Sequence, residues 1–366
     1  MSQETNTGKR SDWNWRFCSS FQNLQTVAPE NLTPADRIRS FDGRDVYRKD
    51  QLYYKFYFKQ HPAFFKRLRE RFLPPAREEF NQLLRLKKNQ IEAVSPVAWG
   101  NRRTDSVLVT REAPQCCSVS EFLLETIDRG EKIPEDFLRI WAAFVKKILD
   151  RRFYFSDFHA GNLLYDRINK NLLVVDPLGI KQPLFLRKNR ILRMLKRQFS
   201  FMYEYGTKAD LLLLFSILAP QDPQRLYDDL WAYTVYYVQH LQLPKRLKWF
   251  RRQKHITDGI QRRFSPDLRW YSLENTCRKK STPEKIQAIW ERDYICSLYR
   301  LPLLHTVGMI PETCEIFQQK MGSLPCDPVV AEELRERLVS CGFDPEDFNF
   351  CTDFSGRTVL MDKATV

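Results

Sequence analysis

Phe155-Ser156-Asp157-Phe158-His159-Ala160-Gly161-Asn162-Leu163-Leu164 and, a little further on, Leu172-Leu173-Val174-Val175-Asp176-Pro177-Leu178-Gly179 form the stretch whose reading decides the fold. It sets an aspartate, an asparagine and a second aspartate in a fixed order, the last at the end of an apolar run. Leu163-Leu164 and Leu172 to Val175 flank the more polar Asp166 to Asn171. That pattern suits a small hairpin with Asn162 at its entry and Asp176 at its exit. Upstream, Phe137, Trp141, Phe144, Val145 and Ile148 share one stripe at helical spacing. Residues 134–151 are therefore expected to form an amphipathic helix leading directly into Asp157.

Such a constellation suits phosphoryl transfer. The group in flight carries negative charge on its oxygens, so catalysis consists of positioning and charge neutralisation. Asp157 is expected to accept the proton of an acceptor hydroxyl and orient it for in-line attack. Asn162 offers a neutral oxygen and Asp176 a charged one. Together they suit Mg²⁺, a hard ion that leaves its remaining positions to water and phosphates. The Asp-x-x-x-x-Asn spacing is that of a kinase catalytic loop. Alone it is a weak signal, which gains weight from its place between a helix and a hairpin.

Two further groups are then required upstream, and candidates exist. Arg37 to Phe58 reads as strands around an Asp42-Gly43 turn, with Lys55 inside the run Leu52 to Phe58. Pro74-Pro75 opens a helix in which Glu78 and Glu79 favour the positive N-terminal end. Lys55 is expected to contact nucleotide phosphates and Glu79 to hold it in place, with Glu78 as the rival partner. Ile91 to Gly100 and Asp105 to Glu112 read as two more strands. The joint to a helical region falls near Thr110 to Gln115, where Thr110 and Glu112 are expected to contact the nucleotide. His159 either packs within its loop or touches substrate, the first reading being preferred. Arg77 and Lys181 either add positive charge near the site or are plain surface residues.

The order of elements gives an α+β fold: a small sheet-rich lobe joined to a larger helical lobe. The expected divisions are a loosely ordered lead-in over 1–30, the sheet-rich lobe over 31–112, the helical lobe over 113–265, and a helical C-terminal extension over 266–366. Two helices are expected in that extension, near Pro283 to Tyr299 and Val329 to Val339, with no assigned role.

The chain has 366 residues, 43% of them hydrophobic, enough for a sizeable core. The longest apolar block, Leu211 to Ala219, is too short to span a bilayer. Met1 to Arg16 lacks the apolar segment of a secretory signal, so a cytoplasmic location is expected. Nine cysteines at irregular spacings, without a CxxC, read as reduced and packing. The formal net charge is +14, and the positive residues cluster. One cluster runs from Arg187-Lys188-Asn189-Arg190 to Arg193, Lys196 and Arg197. A second holds Lys245-Arg246, Lys248, Arg251-Arg252 and Lys254, and a third Lys66-Arg67, Arg69 and Arg71. Three clusters favour an anionic partner. Nucleic acid is disfavoured, since no reading motif accompanies them.

Several blocks carry a narrower resemblance. Asp42-Gly43-Arg44-Asp45-Val46-Tyr47-Arg48, Tyr53-Tyr54-Lys55, Ala76-Arg77-Glu78-Glu79-Phe80, Val94 to Gly100 and Asp157-Phe158-His159-Ala160-Gly161-Asn162 resemble successive blocks of the bacterial lipopolysaccharide core kinases. These are the heptose and Kdo kinases, including InaA-like members. The resemblance covers residues 37 to 250 and implies a protein-kinase-like fold, ATP and Mg²⁺ as cofactors, and an inner-core sugar hydroxyl as acceptor. It implies the ion-pair role for Lys55 and Glu79, the catalytic role for Asp157 and the metal role for Asn162 and Asp176. The implied acceptor is anionic and membrane-bound, which suits the positive clusters and peripheral contact at the inner face of the inner membrane, with Trp249-Phe250 as a candidate patch. Departures are Ser156 before the base, Pro177 after the second aspartate, and the lack of a G-x-G-x-x-G run. The alternatives are a kinase of another small-molecule or protein hydroxyl, or a non-catalytic kinase-like module binding anionic lipid or nucleic acid.

Overall fold

Alternating side chains build the first layer. In the strand β5 (Leu52–Tyr57), Leu52, Tyr54 and Phe56 are buried on one side, while Tyr53, Lys55 and Tyr57 point to the other. The computed structural model describes residues 7–10, 13–18, 29–41, 43–58, 73–102, 105–252, 261–262, 276–280, 282–304, 306–310, 315–319, 321–353 and 356–363. The chain divides into two units. One takes residues 1–122 and 143–194, the other residues 123–142 and 195–366.

In the first unit β5 lies within a seven-stranded antiparallel sheet. Its members are β1 (Thr7–Arg10), β2 (Trp13–Phe17), β3 (Arg37–Phe41), β4 (Arg44–Lys49), β5, β6 (Pro96–Arg102) and β7 (Asp105–Arg111), in the order β1-β2-β6-β7-β5-β4-β3. One face buries Trp13, Trp15, Phe17, Tyr54, Phe56, Val97, Val107 and Val109 together. The stretch expected as a loose lead-in thus supplies two strands. Trp13, Trp15 and Phe17 recur at every second position with exposed Asn14 and Arg16 between them, and burying three aromatic rings offsets much of the cost of ordering this short segment.

The helix α1 (Pro75–Lys88) covers the other face. Ala76, Phe80 and Leu83 pack with Trp99 and Leu108. Pro75 suits the first helical turn, because a proline lacks the N–H that no carbonyl there would receive. Glu79 belongs to the same buried stripe as Ala76, Phe80, Leu83 and Leu86, so a carboxylate is carried into an apolar interface.

The elements that follow lead to the motif loop and pass between the two units. β8 (Cys116–Ser118) precedes α2 (Val119–Asp128), which Ser118 and Glu121 cap reciprocally. α3 (Glu135–Asp150) crosses the division between the units. It is followed by β9 (Tyr154–Phe155), β10 (Leu163–Asp166), β11 (Asn171–Val174) and β12 (Ile180–Lys181). β10 and β11 form the expected hairpin, Leu163 pairing with Val174 and Asp166 with Asn171. β8 joins its open edge.

After α4 (Lys188–Tyr205) the second unit continues with α5 (Lys208–Leu218), α6 (Pro223–Tyr237) and α7 (Leu243–Arg252). Two sheets then accompany the two helices expected in the tail. β13 (Gln261–Arg262), β14 (Thr276–Lys280), β15 (Thr306–Ile310) and β16 (Glu315–Gln319) form one, and β17 (Phe348–Thr352) and β18 (Thr358–Asp362) the other. The helices are α8 (Pro283–Leu298) and α9 (Pro328–Cys341). Val238, Cys296, Tyr299, Leu301, Leu334, Leu338, Phe348 and Leu360 share one core, so the tail packs into the same core as the residues after α6.

Among the described residues no helix is long and apolar enough to cross a membrane. Seven described cysteines are free thiols. Lys66, Arg67, Arg69, Arg71 and Lys254 lie outside the described residues, as do the side chains of Trp249, Phe250, Arg251 and Arg252.

Candidate active site

Register places the first half of the site. Lys55 pairs with Val46 on one side and Leu108 on the other, in the middle of the sheet, and its side chain stands on the face that α1 covers. Lys55 Nζ lies 3.0 Å from both Glu79 carboxylate oxygens and 2.8 Å from Asp176 Oδ1. The pairing thus falls to Glu79. The Lys55 and Glu79 side chains are 14% and 4% exposed, so the pair is shielded from solvent and each charge depends on the other. Tyr57, two residues along the same strand face, donates its hydroxyl to Glu79 Oε2.

The second half comes from the hairpin. Asn162 stands one residue before β10 and Asp176 two residues after β11. The Val175 N–H donates to the Asn162 carbonyl, which ties the two ends together. Asp176 adopts a left-handed backbone, φ +53°, and Gly179 follows at φ +77°. Between them the chain reverses and returns as β12, where Ile180 pairs with Phe155. A side chain at Gly179 would come within 2.5 Å of Ser156 Oγ, so serine before Asp157 and glycine after Asp176 are packed against each other.

Asp157 leaves its loop into solvent, its side chain 65% exposed. The buried rings of Phe153, Phe155 and Phe158 anchor the loop beneath it, with Phe155 and Phe158 4.9 Å apart. Asn162 Nδ2 donates to the Asp157 carbonyl at 3.0 Å. His159 Nε2 sits 3.8 Å from Asp157 Oδ2, beyond hydrogen-bond range, and its ring lies close over Gly161.

The charges divide sharply. Burial pushes the Glu79 carboxyl above its ordinary value, although Lys55 opposes the shift. Burial acts in the same direction on Asp176, but there Lys55 and Arg44 outweigh it and hold the carboxyl low. Burial, with Glu79 beside it, drives the Tyr57 hydroxyl well above 10. An ionised carboxylate and a carboxamide carried at the two tied ends of one hairpin are a donor set whose chemistry fits Mg²⁺, which takes one or two protein oxygens and completes its shell elsewhere.

The structure therefore brings Lys55, Glu79 and Asp176 into contact, with Asn162 alongside. Thr110 pairs with Tyr53, which puts it on the Lys55 face as a diagonal neighbour of Lys55, about 7–8 Å away. Glu112 is engaged elsewhere: its N–H donates to the Gln51 carbonyl at 2.8 Å and its carboxylate takes Arg48 at 2.6 Å. It lines a cavity of about 390 Å³ with Val94, Arg111, Gln115, Asp166 and Asn169. Arg77 lies over the Trp99 ring, and Lys181 is exposed on β12. Sequence reasoning missed Tyr57 and Arg44. Arg44 Nη1 meets Asp176 Oδ2 at 3.1 Å. Tyr57 was signalled by two-residue alternation with Lys55. Arg44 is set opposite Tyr57 by the Asp50-Gln51 turn, both residues at positive φ, which closes β4 onto β5 with Lys49 opposite Leu52.

No family model and no curated protein matches the sequence. Solved structures similar to it include WaaP in complex with acyl carrier protein, at 16% identity and a TM-score of 0.41, covering 60% of this chain and 86% of that one. WbdD, described as a bifunctional kinase-methyltransferase, is similar at 14% identity and a TM-score of 0.37, covering 63% of this chain and 54% of that one. This chain thus spans about half the length of WbdD.

Proposed function

We propose that this chain is an ATP-dependent kinase of two-lobed, protein-kinase-like fold that phosphorylates a sugar hydroxyl, heptose or Kdo, of the lipopolysaccharide inner core. The observation that carries the catalytic reading is the double engagement of one lysine. Lys55 Nζ bridges a buried glutamate on a helix and the aspartate that ends the hairpin. An isolated lysine would be flexible; one held by Glu79 is fixed in place to meet phosphate oxygens with little further ordering.

In this reading Asp157 accepts the acceptor's hydroxyl proton from the solvent side, and its loop is held by the phenylalanines beneath. Asn162 and Asp176 would hold Mg²⁺, which when bound neutralises charge on the phosphates. Thr110 flanks the nucleotide on the Lys55 face.

The acceptor class rests on the resemblance of the sequence blocks and on surface chemistry. Between Pro177 and Tyr203 the chain holds seven Lys or Arg and no acidic residue. Within that stretch Leu184 and Phe185 are 76% and 83% exposed. Arg152 donates to the Leu184 carbonyl at 2.9 Å, so the apolar pair is presented by an anchored loop. Exposed apolar side chains amid positive charge suit an anionic membrane surface, and support a site of action at the inner face of the inner membrane.

The test is incubation with Mg-ATP and deacylated core oligosaccharide, read by mass spectrometry for an added phosphate. Wild-type protein is expected to transfer, and Asp157→Ala to lose about a hundredfold or more of the rate. Undiminished transfer by Asp157→Ala overturns the assignment of the base. ATP binding without transfer to any acceptor points instead to a non-catalytic module.

A further inference from the structure

The β3–β4 turn carries one glycine, Gly43, at φ +78°, and cannot line a phosphate with the backbone amides of several glycines. It carries an arginine instead. Arg44 opens β4, and register puts it opposite Tyr57, hence on the same sheet face as Lys55. The turn is pinned there, since the Phe58 N–H donates to the Gly43 carbonyl at 2.9 Å. From this position Arg44 Nη1 reaches Asp176 Oδ2 at 3.1 Å, while Lys55 Nζ holds Oδ1 at 2.8 Å. Each oxygen of the candidate metal-binding carboxylate is therefore engaged by a cation of the protein itself. The Arg44 and Asp176 side chains are 29% and 27% exposed, so their pair is reachable from solvent, unlike the pair between Lys55 and Glu79.

We infer that Arg44 is an exchangeable counter-ion: it pairs with Asp176 until a metal–nucleotide complex claims that carboxylate, and then turns to the nucleotide's terminal phosphates. The inference rests on the kinase reading of this site. A divalent cation and a guanidinium compete for the same carboxylate oxygens. Phosphate and carboxylate both match the guanidinium fork, so Arg44 can change anions without changing its chemistry. Lys55 cannot make the same exchange, because Glu79 fixes it. The arrangement also supplies, from a side chain, the positive cover that a glycine-rich turn supplies from its amides.

The consequence is a pair of effects of opposite sign. Metal alone should bind better without Arg44, and metal with nucleotide should bind worse. The experiment compares wild type, Arg44→Gln and Arg44→Lys, with thermal melting as a check on folding. It measures Mn²⁺ binding alone by electron paramagnetic resonance, and MgATP and adenosine binding by calorimetry. Arg44→Gln is expected to bind Mn²⁺ several-fold tighter and MgATP about tenfold more weakly, with adenosine unchanged. Arg44→Lys should fall between wild type and Arg44→Gln on both metal and MgATP. Loss of both affinities, or change in neither, overturns the exchange and leaves Arg44 a structural ion pair. If wild type binds no nucleotide, the kinase reading fails by itself. The Mn²⁺ arm then still reports whether Arg44 guards Asp176, and an unchanged Mn²⁺ affinity overturns that too.

Discussion

Lys55 serves two carboxylates whose protons respond in opposite senses. Asp176 is held below its ordinary value of 3.8. Its ionised form is favoured by the fold, so it stabilises the protein above that pH, and the contribution is lost as pH falls through the depressed value. Glu79 is raised above 4.5 by burial. Its ionised form is disfavoured, so stability is lost as pH rises from the ordinary value through the raised one. Asp176→Asn and Glu79→Gln should therefore have opposed pH profiles in urea denaturation. Relative to wild type, Asp176→Asn should be destabilised near neutral pH, with the deficit shrinking as pH falls below 3.8. Glu79→Gln should gain on wild type as pH rises above 4.5. Parallel profiles would refute this division of charge. Lys55, Glu79, Asp157, Asn162 and Asp176 could be picked out as candidates in the sequence, because each lies in or beside an element with a local pattern. Arg44 and Tyr57 could not, because their roles depend on strand register. The turn at Asp50-Gln51, which joins the two strands, sets the one opposite the other.

The segment from Asp176 to β12 decides how Asp176 meets the loop that carries Asp157. Gly179 is its most constrained position: φ is +77°, and an added Cβ would sit 2.5 Å from Ser156 Oγ. Backbone strain and the steric clash can be separated. Gly179→Ala is expected to cost about 1–2 kcal/mol in the left-handed conformation, plus a smaller term for moving the serine. Adding Ser156→Gly should recover only the smaller term. Full recovery in the double variant would show that the serine contact, not the backbone, sets the cost. Elements with one dominant pattern were legible: the β10–β11 hairpin, α1 and the stripe of α3. β1 and β2 were passed over because a polar neighbourhood masked the alternation of Trp13, Trp15 and Phe17. The strands of the tail were missed for another reason. β14 reads Thr-Cys-Arg-Lys-Lys, and its pairing with β16 rather than its composition makes it a strand.

At the scale of the whole molecule, a formal charge of +14 predicts attraction to any anionic surface but not which one. The anchored pair Leu184 and Phe185 adds discrimination. Sequence alone could not find it, because two apolar residues after a short strand read as core until burial is known. Attraction by charge contributes about 1 kcal/mol for each Lys or Arg near an anionic membrane and weakens with salt. Inserted Leu and Phe side chains contribute roughly 1.5–3 kcal/mol each and do not weaken with salt. Vesicle sedimentation separates the two terms. Wild type should bind vesicles rich in anionic lipid at low ionic strength and retain a salt-resistant remainder. Leu184→Ser with Phe185→Ser should lose that remainder, about tenfold or more in affinity, while keeping the salt slope. Equal binding to zwitterionic vesicles, or a double variant indistinguishable from wild type, would remove this loop from the membrane-facing surface and leave the positive charge to a soluble anionic partner.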